Sequence, residues 1–456
     1  MVRSLYSGVS GLKNHQVRMD VLGNNISNVN TTGFKKGRTM FQSMLSQSIS
    51  GAAKPGADKG GVNPKQVGLG MNIAAIDTIH TQGSAQVTGK NTDLMIMGEG
   101  FFILQQGAQR FFTRAGNFST DRDGLLVNPA DGLKLQGWQA NRGADGEYRV
   151  NTSSSIGDIT IPIGSKDPAK ATANVTFKCN LKSMTPVIQP NAQLASDFVM
   201  KNTHFTNLKV YDAYGRERNL SVSFTRLGTN LWRAQIDVRD ATNVSADVPG
   251  GAQNASNIIY FSFNRNGTVA GVHDRVPDAA PANLVTNNKL FANLRFTLPD
   301  GSQNSIQMNF GTAGLADGVT QYDSRSTTKA VDQDGYPMGY MQGFNIDSSG
   351  QISGIYSNGQ KRTIGQIAMA TFTNPGGLEK SGSTYFTRSN NSGTARISAA
   401  NMEDKGSIRS GALEMSNVDL SEEFTDMIVT QRGFQANSRV ITTSDQMLQE
   451  LLTLKR

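Results

Sequence analysis

The stretch LSEEFTDMIVTQRGFQANSRVITTSDQMLQELL, residues 420–452, carries the reading on which the rest of the chain depends. Taken every seventh residue it gives Leu420, Met427, Phe434, Ile441 and Leu448, with Phe424 and Leu452 at companion positions, the spacing of an apolar seam along one helix. Asp419 stands three residues before Glu422, so one carboxylate can accept the free N–H groups of the first turn while the glutamate reaches back. The pattern predicts a helix over 420–454, on the order of 50 Å long.

The other end of the chain repeats the device. Leu5, Leu12, Met19 and Ile26 recur at seven, and Gly8, His15, Leu22 and Val29 form the companion row, which predicts a helix over about 4–30. NNISNVNTTGF, residues 24–34, closes it with asparagines and a glycine. Burying one large apolar side chain contributes roughly 1.5–3 kcal/mol, whereas ordering each residue costs about 1–2 kcal/mol of backbone entropy. Seven seam residues therefore leave a lone C-terminal helix marginal, and both helices need partners: each other, neighbouring copies, or both. Ends that share one layer make the middle an insertion.

That middle reads as β structure. Only 37% of the 456 residues are hydrophobic while Gly occurs 48 times, a mixture that favours short strands and many turns over a helical enzyme. From Asp93 onward, LMIMGEGFFIL, RFFTRAGNF and GLLVN are punctuated by Gly and Asp-Gly turns, and a similar texture returns over 350–374. Between them NLKVYDAYG, NLSVSFTRL, WRAQIDVRD and IIYFSFNRNG give strands of a separate block. The expected architecture is multidomain α+β, with a terminal α-helical coiled-coil layer and nested, mainly-β domains inserted between its helices. Residues 1–37 with 412–456 form the helical layer, 38–72 an extended Gly-, Ser- and Pro-rich connector, 73–168 with 326–411 a first β domain, and 169–325 an outer one.

Several function classes drop out. The net charge of +8 is scattered, without basic runs interleaved with aromatics, so no nucleic-acid partner is expected; the cluster Lys35, Lys36 and Arg38 reads as a solvated segment. No apolar run approaches the eighteen or so residues that span a bilayer, and the start lacks a cleavable apolar signal, so membrane insertion is not expected. GLGMNI at Gly68 lacks the third glycine of a dinucleotide loop, and DRDG and DQDG lack the later oxygen ligands of a calcium loop and read as hairpin turns. Four scattered histidines give neither a metal spacing nor a triad. No cofactor, no metal and no enzymatic activity are expected.

One cysteine remains, Cys179 in VTFKCNLKS. It reads either as a small apolar strand residue or as a reactive thiol. In the second reading, loss of its α-proton and sulfur leaves dehydroalanine, which a neutral lysine amine attacks to form lysinoalanine. That requires an amine whose proton affinity is lowered by burial or a cationic neighbour. Lys166, Lys170, Lys178 and Lys182 are the nearby candidates.

NNISNVNTTGFKK, residues 24–36, resembles the N-terminal signature of the bacterial flagellar rod, hook and axial proteins, and residues 410–456 are similar to their C-terminal signature almost throughout. NTDLMIMGEGFFIL and FTRAGNFSTDRDGLLVNPADGLKLQGW also resemble that family's first β domain. The resemblance implies a subunit that polymerises with itself into a helical tube, its inner helices packed as coiled coils around a channel. It also implies partners at the rod, the hook cap and the hook-filament junction, and passage through the flagellar type III export apparatus. A length with one additional β block is similar to the hook subunits of the family, whose tube bends while transmitting torque; a distal rod or junction subunit is the structural alternative. A secreted β-domain adhesin or enzyme with flagellar-type ends is the alternative of another class. Members from bacteria with periplasmic flagella join neighbouring subunits by lysinoalanine, and GSKDP with KCN match that pattern. The resemblance thus assigns Lys166 as nucleophile, Cys179 as the source of dehydroalanine and Asn180 as an orienting group.

Overall fold

Strands make up most of the regular structure of this molecule, and a long helix stands at each of its two ends. The computed structural model describes residues 2–52, 54–55, 59–143, 146–188, 196–248, 256–276, 289–402 and 405–453. Residue 454 of the expected C-terminal helix, parts of the connector and three stretches of the outer block lie outside the described residues. The chain divides into two units: Met1–Ile163, Gln342–Ile355 and Lys361–Arg456 form one, Gly164–Met341 and Tyr356–Gln360 the other.

The first unit holds both long helices, α1 (Val2–Ser27) and α3 (Leu420–Thr453). Asp419 caps α3 as its position predicts, its Oδ1 accepting the Ser421 N–H at 2.8 Å. Glu422 does not reach back to that cap. Its carboxylate accepts Lys36 Nζ at 2.7 Å instead, because the segment leaving α1 runs past the start of α3. The connector is paired throughout its described strands. Gly37–Ser43 pairs antiparallel with Met71–Thr78, and Ser46–Ser50 with Lys65–Gly68, making a long two-stranded ribbon. Asn14 and Asn25 of α1 hold its base by hydrogen bonds to Met71 O (2.6 Å) and Gly37 O (2.9 Å).

The β body of this unit is antiparallel. Phe101–Gln106 pairs with Gln109–Thr113, Lys134–Arg142 and Lys361–Thr371 around a core of Phe101, Ile103, Phe112, Trp138, Ala368 and Ala370. The run LMIMGEGFFIL breaks into two strands at Gly98 (φ 100°) and Gly100 (φ 132°), conformations that only glycine adopts cheaply. The chain then returns beside its outgoing path: Ser407–Ser410 pairs with Leu94–Met97, and Ala412–Glu414 with Ala85–Val87.

The second unit is a sandwich. His204–Tyr211, Glu217–Gly228, Leu231–Val238, Ile258–Phe263 and Val269–His273 form an antiparallel sheet in chain order. The other sheet is ordered Thr242–Asp247, Lys289–Thr297, Gln303–Thr312, Asn174–Asn180, Val319–Thr320, with Thr327–Gln333 added on Asn174–Asn180. Alternation along strands such as Asn174–Asn180, Leu231–Val238 and Lys289–Thr297 sends one face inward, so Phe177, Phe224, Trp232, Phe261 and Phe310 share one core. A short helix, α2 (Ser196–Asn202), precedes the first strand of the antiparallel sheet.

Candidate assembly surface at the chain ends

The two helices meet along a seam of small and polar residues. A Cβ on Gly8 would lie 3.1 Å from Ile441, one on Gly11 2.7 Å from the Asn437 side chain, and one on Gly433 2.9 Å from the His15 ring. Absent side chains thus let the backbones approach closely. Arg18 donates to Asp426 at 2.9 Å, Asn25 Nδ2 to Glu423 Oε2 at 3.0 Å, and the Ser4 and Ser444 hydroxyls lie 3.4 Å apart. The buried residues of α3 are Glu423, Thr430 and Ser444, none of them apolar.

Most heptad residues sit at the margin of this seam. Leu22 is buried; Leu5, Leu12, Met19, Ile26 and Val29 of the N-terminal row and Met427, Phe434, Ile441 and Leu448 of the C-terminal row are half-buried. Leu420, Phe424 and Leu452 are exposed, Phe424 by 50% and Leu452 by 70%. The structure adds residues that heptad counting missed: Ile428, Val429, Val440, Met447 and Leu451 on α3, with Tyr6 and Val9 on α1, also expose large apolar side chains. For Ile428 the available signal was its i, i+4 spacing from Phe424.

The asparagine-rich turn ends α1 and anchors the segment beyond it. Asn28 Nδ2 and Ser27 Oγ both donate to Asn24 O at 2.9 Å, joining the Asn28 backbone N–H at 3.2 Å on one carbonyl of the last turn. Gly33 then turns at φ 71°, where a Cβ would lie 2.4 Å from Ala115 N. The next residue but one corrects the sequence reading. Lys35 is not solvated; its side chain is fully buried, with Nζ donating to Glu414 Oε1 at 2.6 Å and to Thr81 O at 2.7 Å. Glu414 also accepts Gly83 N at 3.0 Å and Arg114 Nη1 at 3.4 Å. Burial, opposed by Glu414, holds the Lys35 amine below the usual lysine range. His80 lies nearby, its ring edge-on to Phe101. Burial first, then the cations Lys35, Arg114 and Lys380, push its pKa down to about 4.

The three residues assigned to cross-linking all lie in the sandwich unit. Cys179 is buried in its core, on the strand Asn174–Asn180, opposite Val319 and Thr328. Asn180 accepts Tyr322 N at 3.0 Å and donates to Ser324 Oγ at 2.7 Å, so its amide orders the 320–324 turn. Lys166 is exposed on a different ladder, paired with Tyr340, its Nζ 6.0 Å from that ring's centroid. Among the described residues no group of acidic, histidine or cysteine side chains could hold a metal ion.

These ends, exposing apolar stripes around a polar seam, are matched by the families described as flagellar basal body rod protein over residues 5–35 and flagellar basal body rod FlgEFG protein C-terminal over 409–454. Between them lie matches to the flagellar hook protein FlgE/F/G D1 domain over 95–178 and the flagellar basal body protein FlaE D2 domain over 180–336. The class is thus that of an axial flagellar protein. The chain is 51% identical to the flagellar hook protein FlgE of Borreliella burgdorferi and 48% identical to that of Treponema pallidum, each over the whole of both chains. A crystal structure of Helicobacter pylori flagellar hook protein FlgE2 covers 72% of this chain and 100% of its own with a TM-score of 0.50 at 13% identity, which bears on the fold alone. The chain belongs to the flagellar hook protein FlgE family, structural proteins of the flagellum rather than enzymes.

Proposed function

We propose that this chain assembles with copies of itself into a curved helical tube, the flexible joint through which a flagellar rod turns its filament. The observation that carries this reading is the exposure of Phe424, Ile428, Val429, Leu451 and Leu452 on a helix whose buried residues are polar. Large apolar side chains left exposed at both ends of one helix call for partners along its length. Copies related by a head-to-tail contact that does not close would cover them and generate a tube. In this reading the helical layer, 1–37 with 412–456, lines the channel, the connector 38–72 braces it, and the β domains 73–168 with 326–411 and 169–325 face outward with contacts weak enough to slide. Rod, cap and junction proteins meet the ends of the tube, and subunits arrive through the type III apparatus. Electron microscopy of polymer grown from the purified full chain tests this. Curved tubes are expected; straight ones would favour a rod subunit, and a chain that stays monomeric under all assembly conditions would end the proposal.

The same reading includes a self-formed link between Lys166 and Cys179 of neighbouring copies, in a periplasmic flagellum. The Cα proton of Cys179 passes to a base, the Cβ–Sγ bond breaks and hydrosulfide leaves. The neutral Lys166 amine then adds at Cβ and the Cα regains a proton. Exposure of Lys166 and the ordering of the neighbouring turn by Asn180 support it, while burial of Cys179 requires its strand end to open for reaction. Polymer boiled in detergent and reductant should run as covalent multimers whose digest contains a joined 166–179 peptide pair. Release of monomer alone would remove the cross-link and leave the assembly reading standing.

A further inference from the structure

We propose that Glu414 is the bolt of an interlock that makes closure of the N-terminal turn conditional on arrival of the C-terminal segment. The inference is independent of the assembly reading. Glu414 belongs to the short strand Ala412–Glu414, just before α3, and its carboxylate is fully buried. It binds three places far apart in sequence: Lys35 after α1, Gly83 beside the strand Ala85–Val87, and Arg114 at the end of a core strand. Its own carbonyl takes the N–H of Gly33 at 2.8 Å, within the turn beyond α1. Lys35 in turn reaches Thr81 O, so all four segments share one cluster.

The charge count makes this a lock rather than an ordinary contact. Two cations, Lys35 and Arg114, bond one carboxylate in a site where all three side chains are at most 5% exposed, and Glu99 is a further carboxylate that acts on Arg114, so Lys35 is the cation that depends on Glu414 most. Without Glu414, Lys35 and Arg114 lose the carboxylate that both bond, and a buried lysine left so must either give up its proton or leave with residues 33–36, so the turn is held more weakly in both cases. A chain whose C-terminal segment has not seated therefore keeps the root of α1 open, and the paired helices are presented only after both ends have met. A hydrophobic residue at 414 would accept any apolar neighbour, whereas this carboxylate needs cationic and N–H donors placed around it, as Lys35, Arg114 and Gly83 are.

Hydrogen exchange on the full chain tests it with Glu414→Gln, Lys35→Met and the double variant. Glu414→Gln should raise exchange at 33–36, 79–83 and 112–115 together, by about a hundredfold or more, the scale of an uncompensated buried charge, with the sandwich strands unchanged. The double variant removes Lys35 and leaves Arg114 with Glu99, so it should regain protection relative to Glu414→Gln. Exchange rising only at 412–417, or a double variant that adds the two single losses, would overturn the interlock. Should neither Glu414 variant accumulate, Lys35→Met decides: a rise shared by 33–36 and 412–417, with 112–115 still held by the Arg114–Glu414 pair, supports the lock, and one confined to 33–36 overturns it.

Discussion

In the sandwich unit Phe177, Trp232, Phe261 and Phe310 are at most 2% exposed and pack against residues of their own chain, whereas on α3 Phe424 is 50% and Leu452 70% exposed. Both regions hold large apolar side chains at regular spacing. Period two, with two sheets to face each other, completes a core inside one molecule. The helical period places part of the α3 apolar surface on the side away from α1, while glycine and polar residues occupy the contact. An unfilled apolar period in a folded chain is thus a statement about other molecules, and a filled one is a statement about the fold.

The largest test of that contrast lies at Trp232, whose indole N–H also bonds Gln321 Oε1 at 3.1 Å. Trp232→Ala should destabilise the sandwich by about 3–5 kcal/mol, seen as a lower melting transition, with hydrogen exchange in α1 and α3 unchanged. A concerted loss of helix protection would break the separation. Next is pH, acting at the root of the helices. The folded state holds His80 at a pKa of about 4 against an ordinary 6.5, so the unfolded chain takes up the proton first. His80's contribution to the stability of the first unit is complete above pH 6.5, falls as pH drops toward 4, and levels below it, a total of about 3 kcal/mol. His80→Phe should flatten that slope in a denaturation series, and the sandwich should not share it.

Much of this was legible because periods are local. The strands over 94–106 follow from apolar runs with glycines between them, and the cap at Asp419 from three adjacent residues. Lys35 was misread for a physical reason: its partner Glu414 is 379 residues away, and beside Lys36 and Arg38 it belongs to an ordinary basic cluster. The connector's composition announced an extended path but not which strands pair in it, nor that Asn14 and Asn25 of α1 would hold its base. The direction of the apolar stripe was hidden as well, since heptad counting rewards Phe424 and Met427 alike. Which of them meets α1 depends on where Gly8, Gly11 and Gly433 let the backbones close.

Gly11 offers the next smaller effect. Gly11→Leu must displace Asn437, and such overpacking should cost about 1–3 kcal/mol in the helical pair, read as faster exchange in both helices. Gly23 has open space where a Cβ would stand, so Gly23→Ala should instead stabilise α1 by up to about 1 kcal/mol.

The smallest expected change in the isolated chain is the most informative. Phe424 and Ile428 stand one helical turn apart, and both are at least half exposed, so Phe424→Ser with Ile428→Ser removes little buried area from the monomer. Its unfolding free energy should move by only about 0.5 kcal/mol, the range of surface substitutions. If other copies cover this stripe, the loss is paid at every subunit contact instead, and the critical concentration for polymer in a sedimentation assay should rise by tenfold or more, about 1.4 kcal/mol per contact. A destabilised monomer with unchanged polymerisation would mean that the stripe serves the fold after all, and the contrast between the two regions would vanish.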